Sequence, residues 1–321
     1  MIKKIIISVL LLLLSGALTL SGKEKPPAAK LLFGGSQPLE WLIRAAAPEA
    51  LCALNHSLTA AQESFFPSKA QALPVIGGFN KSGLDMEVLL KIRPAYVLVS
   101  GTSKVKPGHK AAMEKAGIRL VRIKLETLDD YPAAFEKVAA LAGNAERGRK
   151  LSTEYKRLLE ELHSKITAIK PAARKKVYYA AGSDGLTSSA GLSGHSLVIY
   201  YAGAENAVNN ELAEGRRIRV PIEKIIASDP DVIIIRNKSF HAKITGLPGW
   251  RSLQAVKSGR YYLIPDMPVN WFDMPHTYVQ LAGAWWLASI LYPEKFDGGI
   301  EPFIKRFSEL FFGVKPERKK C

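Results

Sequence analysis

The chain has 321 residues, 47% of them hydrophobic, and a formal charge of +16. It carries no low-complexity tract, so it can bury two cores of ordinary size, which excludes a disordered or fibrous protein. The basic excess does not read as a nucleic-acid interface, because the lysines are scattered rather than interleaved with aromatics; an anionic small ligand, an anionic membrane surface or simple solvation accounts for the same charge.

In chain order, Lys3 and Lys4 precede the apolar run Ile5–Leu14 and the small residues Ser15, Gly16, Ala17 and Ser21, the pattern of an export signal. The run is too short to span a bilayer and gives way to the polar stretch Gly22–Lys30, so cleavage is expected near Ser21 or Gly22. Residues 1–22 are therefore read as a signal peptide. With no cysteine at that junction, a lipid anchor is not expected, and the mature chain is expected beyond the inner membrane. Cys52 and Cys321 are the only cysteines, and the sequence leaves open whether they bridge or stay free.

Residues 23–144 read as a first α/β lobe. A strand over Lys30–Phe33 leads through Gly34, Gly35, Ser36, Gln37 and Pro38 into a helix carrying Leu39, Leu42 and Ile43. The segment Leu84–Gly101 then recurs without a gap at Val220–Asn237. In each copy a glutamate (Glu87, Glu223) opens a short helix, a proline (Pro94, Pro230) ends it, and a β-branched run (Tyr96–Val99, Val232–Ile235) follows as a buried parallel strand. A loop Ser100–His109, a helix Lys110–Ala116, a strand Arg119–Lys124 and a helix from Tyr131 to Leu141 complete the lobe.

Residues 145–170 form a long helical pattern whose apolar positions, Leu151, Tyr155, Leu158, Leu159, Leu162, Ile166 and Ile169, keep helical period until Pro171. Such a helix is a stiff single connection that permits only small lobe motion. Residues 171–321 repeat the plan with a strand Lys176–Ala180, a Gly/Ser-rich loop Gly182–Gly194, a helix from His195, the second repeat unit and a loop Asn237–Gly249. A strand Tyr261–Ile264, the loop Pro265–Pro275 and a helix through Leu291 follow. The fold expected is α/β: two doubly wound parallel-sheet lobes joined by a single long rigid helix, with a ligand cleft between the lobes.

These residues resemble the substrate-binding proteins of ABC importers for iron-siderophores, haem and cobalamin. The resemblance rests on LLFGGSQPLEWLIRAAAPEAL, on LPVIGGF, and on the paired helix-Pro-strand units with Glu87 and Glu223. It also rests on the connecting helix, on YYAGAENAV, and on YYLIPDMPVNWFDMPHTYVQLAGAWWLASILYP. It covers nearly the whole mature chain and implies a periplasmic, monomeric, non-catalytic protein without a cofactor of its own, whose bound ligand is a metal chelate. It further implies that Glu87 and Glu223 dock onto arginines of an inner-membrane permease. A plainer role for both is to favour a helix N-terminus, where negative charge contributes roughly 0.3–1 kcal/mol.

Ligand chemistry is expected on loops after the strand C-termini. The candidates are Gly35, Ser36 and Gln37 in the first lobe and Ser188, His195, Arg217, His241, Trp271 and Tyr278 in the second. His241 and His276 are candidate metal ligands, and Asp273 offers an oxygen, but no pair has a tight zinc spacing. Trp271 suits a conjugated ligand such as a catecholate or tetrapyrrole. Arg216, Arg217 and Arg219 form a basic cluster that the resemblance assigns to an anionic chelate and that a solvated surface patch explains equally well. The alternatives are a bare oxyanion, molybdate or tungstate, held by the Gly34–Ser36 and Ser183–Ser193 loops, or a chelatase-like enzyme using His241 or His276. Against catalysis, the chain has no GxGxxG, GxxxxGK[ST] or HExxH motif. Ser103–Lys106 spells S-x-x-K without its partner motifs, and GLSGH at Gly191–His195 lacks the nucleophile-elbow spacing.

Overall fold

The computed structural model describes residues 30–313 apart from 64, 66–70, 80–82, 102, 192 and 209–216. The expected signal peptide, Arg216 and Cys321 lie outside the described residues.

In the first lobe β1 (Leu32–Gly34), β2 (Tyr96–Ser100) and β3 (Arg119–Ile123) form a parallel sheet in the order β1-β2-β3. Around it lie α1 (Gln37–Ala46), α2 (Met86–Ile92), α3 (Pro107–Lys115) and α4 (Tyr131–Leu141). In the second lobe β4 (Lys176–Ala180), β6 (Glu205–Asn206), β8 (Val232–Ile235) and β9 (Tyr261–Leu263) form a parallel sheet in the order β6-β4-β8-β9. A separate antiparallel ribbon pairs β5 (Thr187–Ser189) with β7 (Arg217–Arg219), so part of the stretch Gly182–Gly194 that the sequence marks as a Gly/Ser-rich loop is a strand. Helices of this half include α6 (Leu197–Tyr201), α7 (Ile222–Ser228), α8 (Lys238–Lys243) and α9 (Gln280–Leu291).

The near-continuous apolar strands follow from burial on both faces. Val97 and Val99 of β2 point into one core with Phe33, Met113 and Ile118, while Tyr96 and Leu98 point into another. In β8, Ile233 and Ile235 pack with Tyr178, Phe240 and Trp250, and Val232 and Ile234 face the opposite side. Both repeat helices have seven residues, and both end on a left-handed residue, Arg93 (φ 49°) and Asp229 (φ 42°). The following proline bars that residue from the right-handed α region, so each chain leaves its helix in the same way.

The connecting helix α5 runs Ala145–Thr167, with the Asn144 side chain capping the Arg147 amide. Its 23 residues span about 35 Å. Gly148 lets it lie close against α4: a Cβ there would sit 2.7 Å from Ala139 Cβ and 3.0 Å from Phe135 O. Leu151, Tyr155, Leu158 and Leu162 form its buried stripe. One hydrophobic cluster continues from Leu32 and Leu98 through Tyr155 to Tyr179, Ile234 and Trp285, so the two lobes share a core along this helix.

Beyond the helix that the sequence pattern carries through Leu291 lies a last one, α10 (Glu301–Phe312). It returns to the first half of the chain, where Phe312 meets Trp41 at 6.3 Å and Phe311 meets Phe135 at 5.4 Å.

Candidate functional site

The loop after β9 is shaped by its own side chains. Asn270 Oδ1 accepts the amides of Phe272 (2.9 Å) and Asp273 (3.0 Å), an Asx turn that fixes the Asp273 backbone. Trp271 Nε1 donates to Met267 O at 2.9 Å, and Gln280 of α9 donates to Phe272 O (2.6 Å) and to Gly194 O (2.9 Å), tying this loop to the Gly/Ser-rich loop. Gly283 makes the close approach possible, since a Cβ there would lie 1.9 Å from Trp271 O.

The loop delivers Asp273 into a fully buried position at the C-terminal ends of β4 and β8. Tyr179, near the end of β4, donates its hydroxyl to Asp273 Oδ2 at 2.7 Å. Arg217 of β7 bonds the same oxygen through Nη2, and His195 Nδ1 lies 3.4 Å from it. Arg236, which follows β8, places Nε 3.9 Å from Asp273 Oδ1. Burial pushes the Asp273 carboxyl up, but His195, Tyr179 and the two arginines outweigh it and hold the group below the usual carboxylate range. Burial, then the charge of Asp273, drives the Tyr179 phenol far above its ordinary value, so it remains a donor.

Two guanidiniums therefore share one carboxylate, which leaves the cluster with surplus positive charge at half-exposed side chains. The ring of His276 meets His195 edge-on at 4.5 Å. Burial, reinforced by the neighbouring His195, lowers the His276 pKa to about 4, so this imidazole is neutral near pH 7.

The expected site residues divide into three groups. His195, Arg217, Trp271 and His276 come together around the Asp273 loop. Ser36 and Gln37 are half-buried at the start of α1, and His241, on α8, packs on Tyr261 at 5.4 Å rather than on His276.

Three expectations need correction. Gly35 has both backbone groups occupied, its N–H on Leu98 O and its C=O on the Phe79 amide, each at 2.8 Å, so it holds the fold together instead of facing a ligand. Ser188 is fully buried in β5. Tyr278 is likewise fully buried, with Tyr131, Phe135, Phe307 and Phe311 around its ring, and offers no surface to a ligand.

Arg219 pairs with Asp184 at 2.8 Å. Glu87 and Glu223 are exposed in the first turns of α2 and α7. Cys52 is buried, which pushes its thiol up to about 12 and leaves it unreactive. Among the described residues, no three His, Cys, Asp or Glu side chains form a group that could hold a metal ion.

Sequence reading missed Tyr179, Arg236 and the central role of Asp273. Arg236 stands in the repeat where the first copy has Ser100, and that mismatch between otherwise aligned units was the available signal.

Two parallel-sheet lobes on one long helix, with charged loops at the strand ends, define a two-lobed solute-binding architecture. The sequence profile of the periplasmic binding protein family matches residues 54–268, and the chain belongs to that family, a group of solute binders rather than enzymes. Over 92% of its length it is similar to an ABC transporter solute binding protein from Sulfurospirillum deleyianum, with 28% identity, 93% of that chain covered and a TM-score of 0.81. It is 26% identical to the molybdate-binding protein MolA of Haemophilus influenzae over 45% of this chain and 41% of that protein. It is 24% identical to the vitamin B12-binding protein of Pectobacterium atrosepticum over 55% of this chain and 62% of that protein. The chain thus matches less than two thirds of the length of either curated relative. Among the described residues, no helix is long and apolar enough to cross a membrane.

Proposed function

We propose that this protein is exported, captures an anionic metal chelate in the periplasm and delivers it to an inner-membrane ABC permease. A ferric siderophore or haem is the leading ligand class, with a corrinoid next. The observation that carries this reading is the pair Arg217 and Arg236 held on the buried carboxylate of Asp273. Guanidiniums oriented from behind present their remaining N–H groups to an incoming anion, and charge-assisted bonds of this kind are among the stronger ones available. Trp271 is only half-buried on the same loop and supplies a flat apolar face for a conjugated ligand. Glu87 and Glu223, exposed on structurally matched helices, are the proposed permease contacts.

A bare oxyanion is the second reading, favoured by the likeness to a molybdate-binding protein. Two observations weigh against the Gly34–Ser36 and Ser183–Ser193 loops as its site. The Gly35 amide is occupied by Leu98 O, and the Ser196 hydroxyl donates to Gly191 O at 2.6 Å while accepting the Ser193 amide at 2.9 Å.

The test is native mass spectrometry of protein purified from its own periplasm, followed by calorimetry with the co-purified class. A chelate whose affinity falls at least tenfold in Arg217→Ala supports the proposal. A co-purified tetrahedral oxyanion, or chelate binding indifferent to that substitution, refutes it.

A further inference from the structure

Met274 follows Asp273 directly and is 43% exposed. Single exposed apolar side chains are ordinary, but this one has specific neighbours. Its sulfur lies 3.0 Å from Arg217 Nη2 and 3.6 Å from Arg236 Nη1. The two guanidiniums that share Asp273 therefore also converge on one thioether. A thioether is a weak acceptor and gives a guanidinium much less than a charged oxygen does. The sulfur thus stands where an oxygen of an anionic ligand could bond both arginines at once.

We infer that Met274 is a displaceable plug over the arginine pair and that it sets a preference for large chelates over small oxyanions. The inference rests on the anionic-chelate reading and adds a specificity-determining residue to it. A methionine side chain has three rotatable bonds and can swing aside without moving the backbone. Its displacement returns apolar surface to water unless the ligand covers it. A conjugated chelate offers a broad face to the displaced thioether, and sulfur packs well against such faces. A small, strongly hydrated oxyanion offers none, so it must expel the plug without that compensation. The arginines supply attraction for either ligand, and the plug decides between them.

The experiment compares the wild-type protein, Met274→Ala and Met274→Leu by calorimetry with molybdate, with haem and with a ferric tris-catecholate. Met274 is exposed, and thermal unfolding verifies that all three proteins fold alike. Met274→Ala is expected to bind molybdate at least fivefold more tightly than the wild type and to bind the preferred chelate more weakly. Met274→Leu keeps the volume and is expected to stay within twofold of the wild type for molybdate. Molybdate affinity in Met274→Ala within twofold of the wild type overturns the inference, as does a Met274→Leu protein that behaves like the alanine variant. If the wild type binds no chelate, the functional reading fails, while the molybdate comparison still decides whether Met274 is a plug.

Discussion

Replacing His276 by glutamine should remove a pH-dependent part of the protein's stability. The imidazole is half-buried beside His195 and titrates at about 4 rather than its ordinary 6.5. Between those values the unfolded chain binds a proton at this residue and the folded chain does not, so stability falls as pH is lowered through that window. The gap between 6.5 and about 4 corresponds to roughly 3 kcal/mol at full separation, a large share of a typical 5–15 kcal/mol. Asp273 acts in the same direction at lower pH. Its folded value is depressed, so its contribution is present above the unfolded carboxylate pKa and is lost as pH falls through the folded one.

The ionisable groups that face His276 are His195, Asp273 and Arg217. The bond from the Tyr131 hydroxyl goes to the His276 backbone carbonyl at 3.2 Å and survives the substitution. Urea unfolding followed by tryptophan fluorescence at pH 7.5, 6.5, 5.5 and 4.5 gives the assay. Subtracting the variant from the wild type cancels the titrating groups that do not interact with His276. The wild type should lose about 2–3 kcal/mol more than His276→Gln over that range. Parallel pH profiles would refute the reasoning, because they would mean that the imidazole protonates in the folded protein as freely as in water.

Exchanging both Glu87 and Glu223 for arginine should leave ligand affinity unchanged and abolish uptake in cells; normal uptake would remove them from the permease contact. Ligand binding should quench tryptophan fluorescence, and Trp271→Phe should eliminate most of that change, whereas survival of the full signal would place the ligand elsewhere. Gly283→Ala forces a Cβ to within 1.9 Å of Trp271 O, so it should cost roughly 1–3 kcal/mol in a denaturant titration and weaken ligand binding by displacing the loop. Small-angle scattering with and without ligand should show closely similar dimensions, since α5 is an unbroken helix of 23 residues; a marked contraction would contradict its role as a strut.

The sequence determined the parts whose cause is local. Pro94 and Pro230 end their helices through a chain-neighbour clash, and strands such as Val232–Ile235 are read from apolar runs that only a doubly covered sheet requires. The helical-period stripe from Leu151 to Leu162 likewise needs nothing beyond its own spacing to mark the face of α5 that is buried.

The site was less legible because its members meet only through folding. Arg217 and Asp273 are 56 residues apart, and Tyr179 and Asp273 are 94 apart, with no periodicity to link them. Tyr278 shows the same limit from the other side. Beside Trp271 it reads as a ligand contact, but the return of α10 brings Phe307 and Phe311 over its ring and encloses it. Whether an aromatic or a charged side chain faces solvent depends on what packs against it, and those partners lie in distant segments that only the tertiary structure brings together.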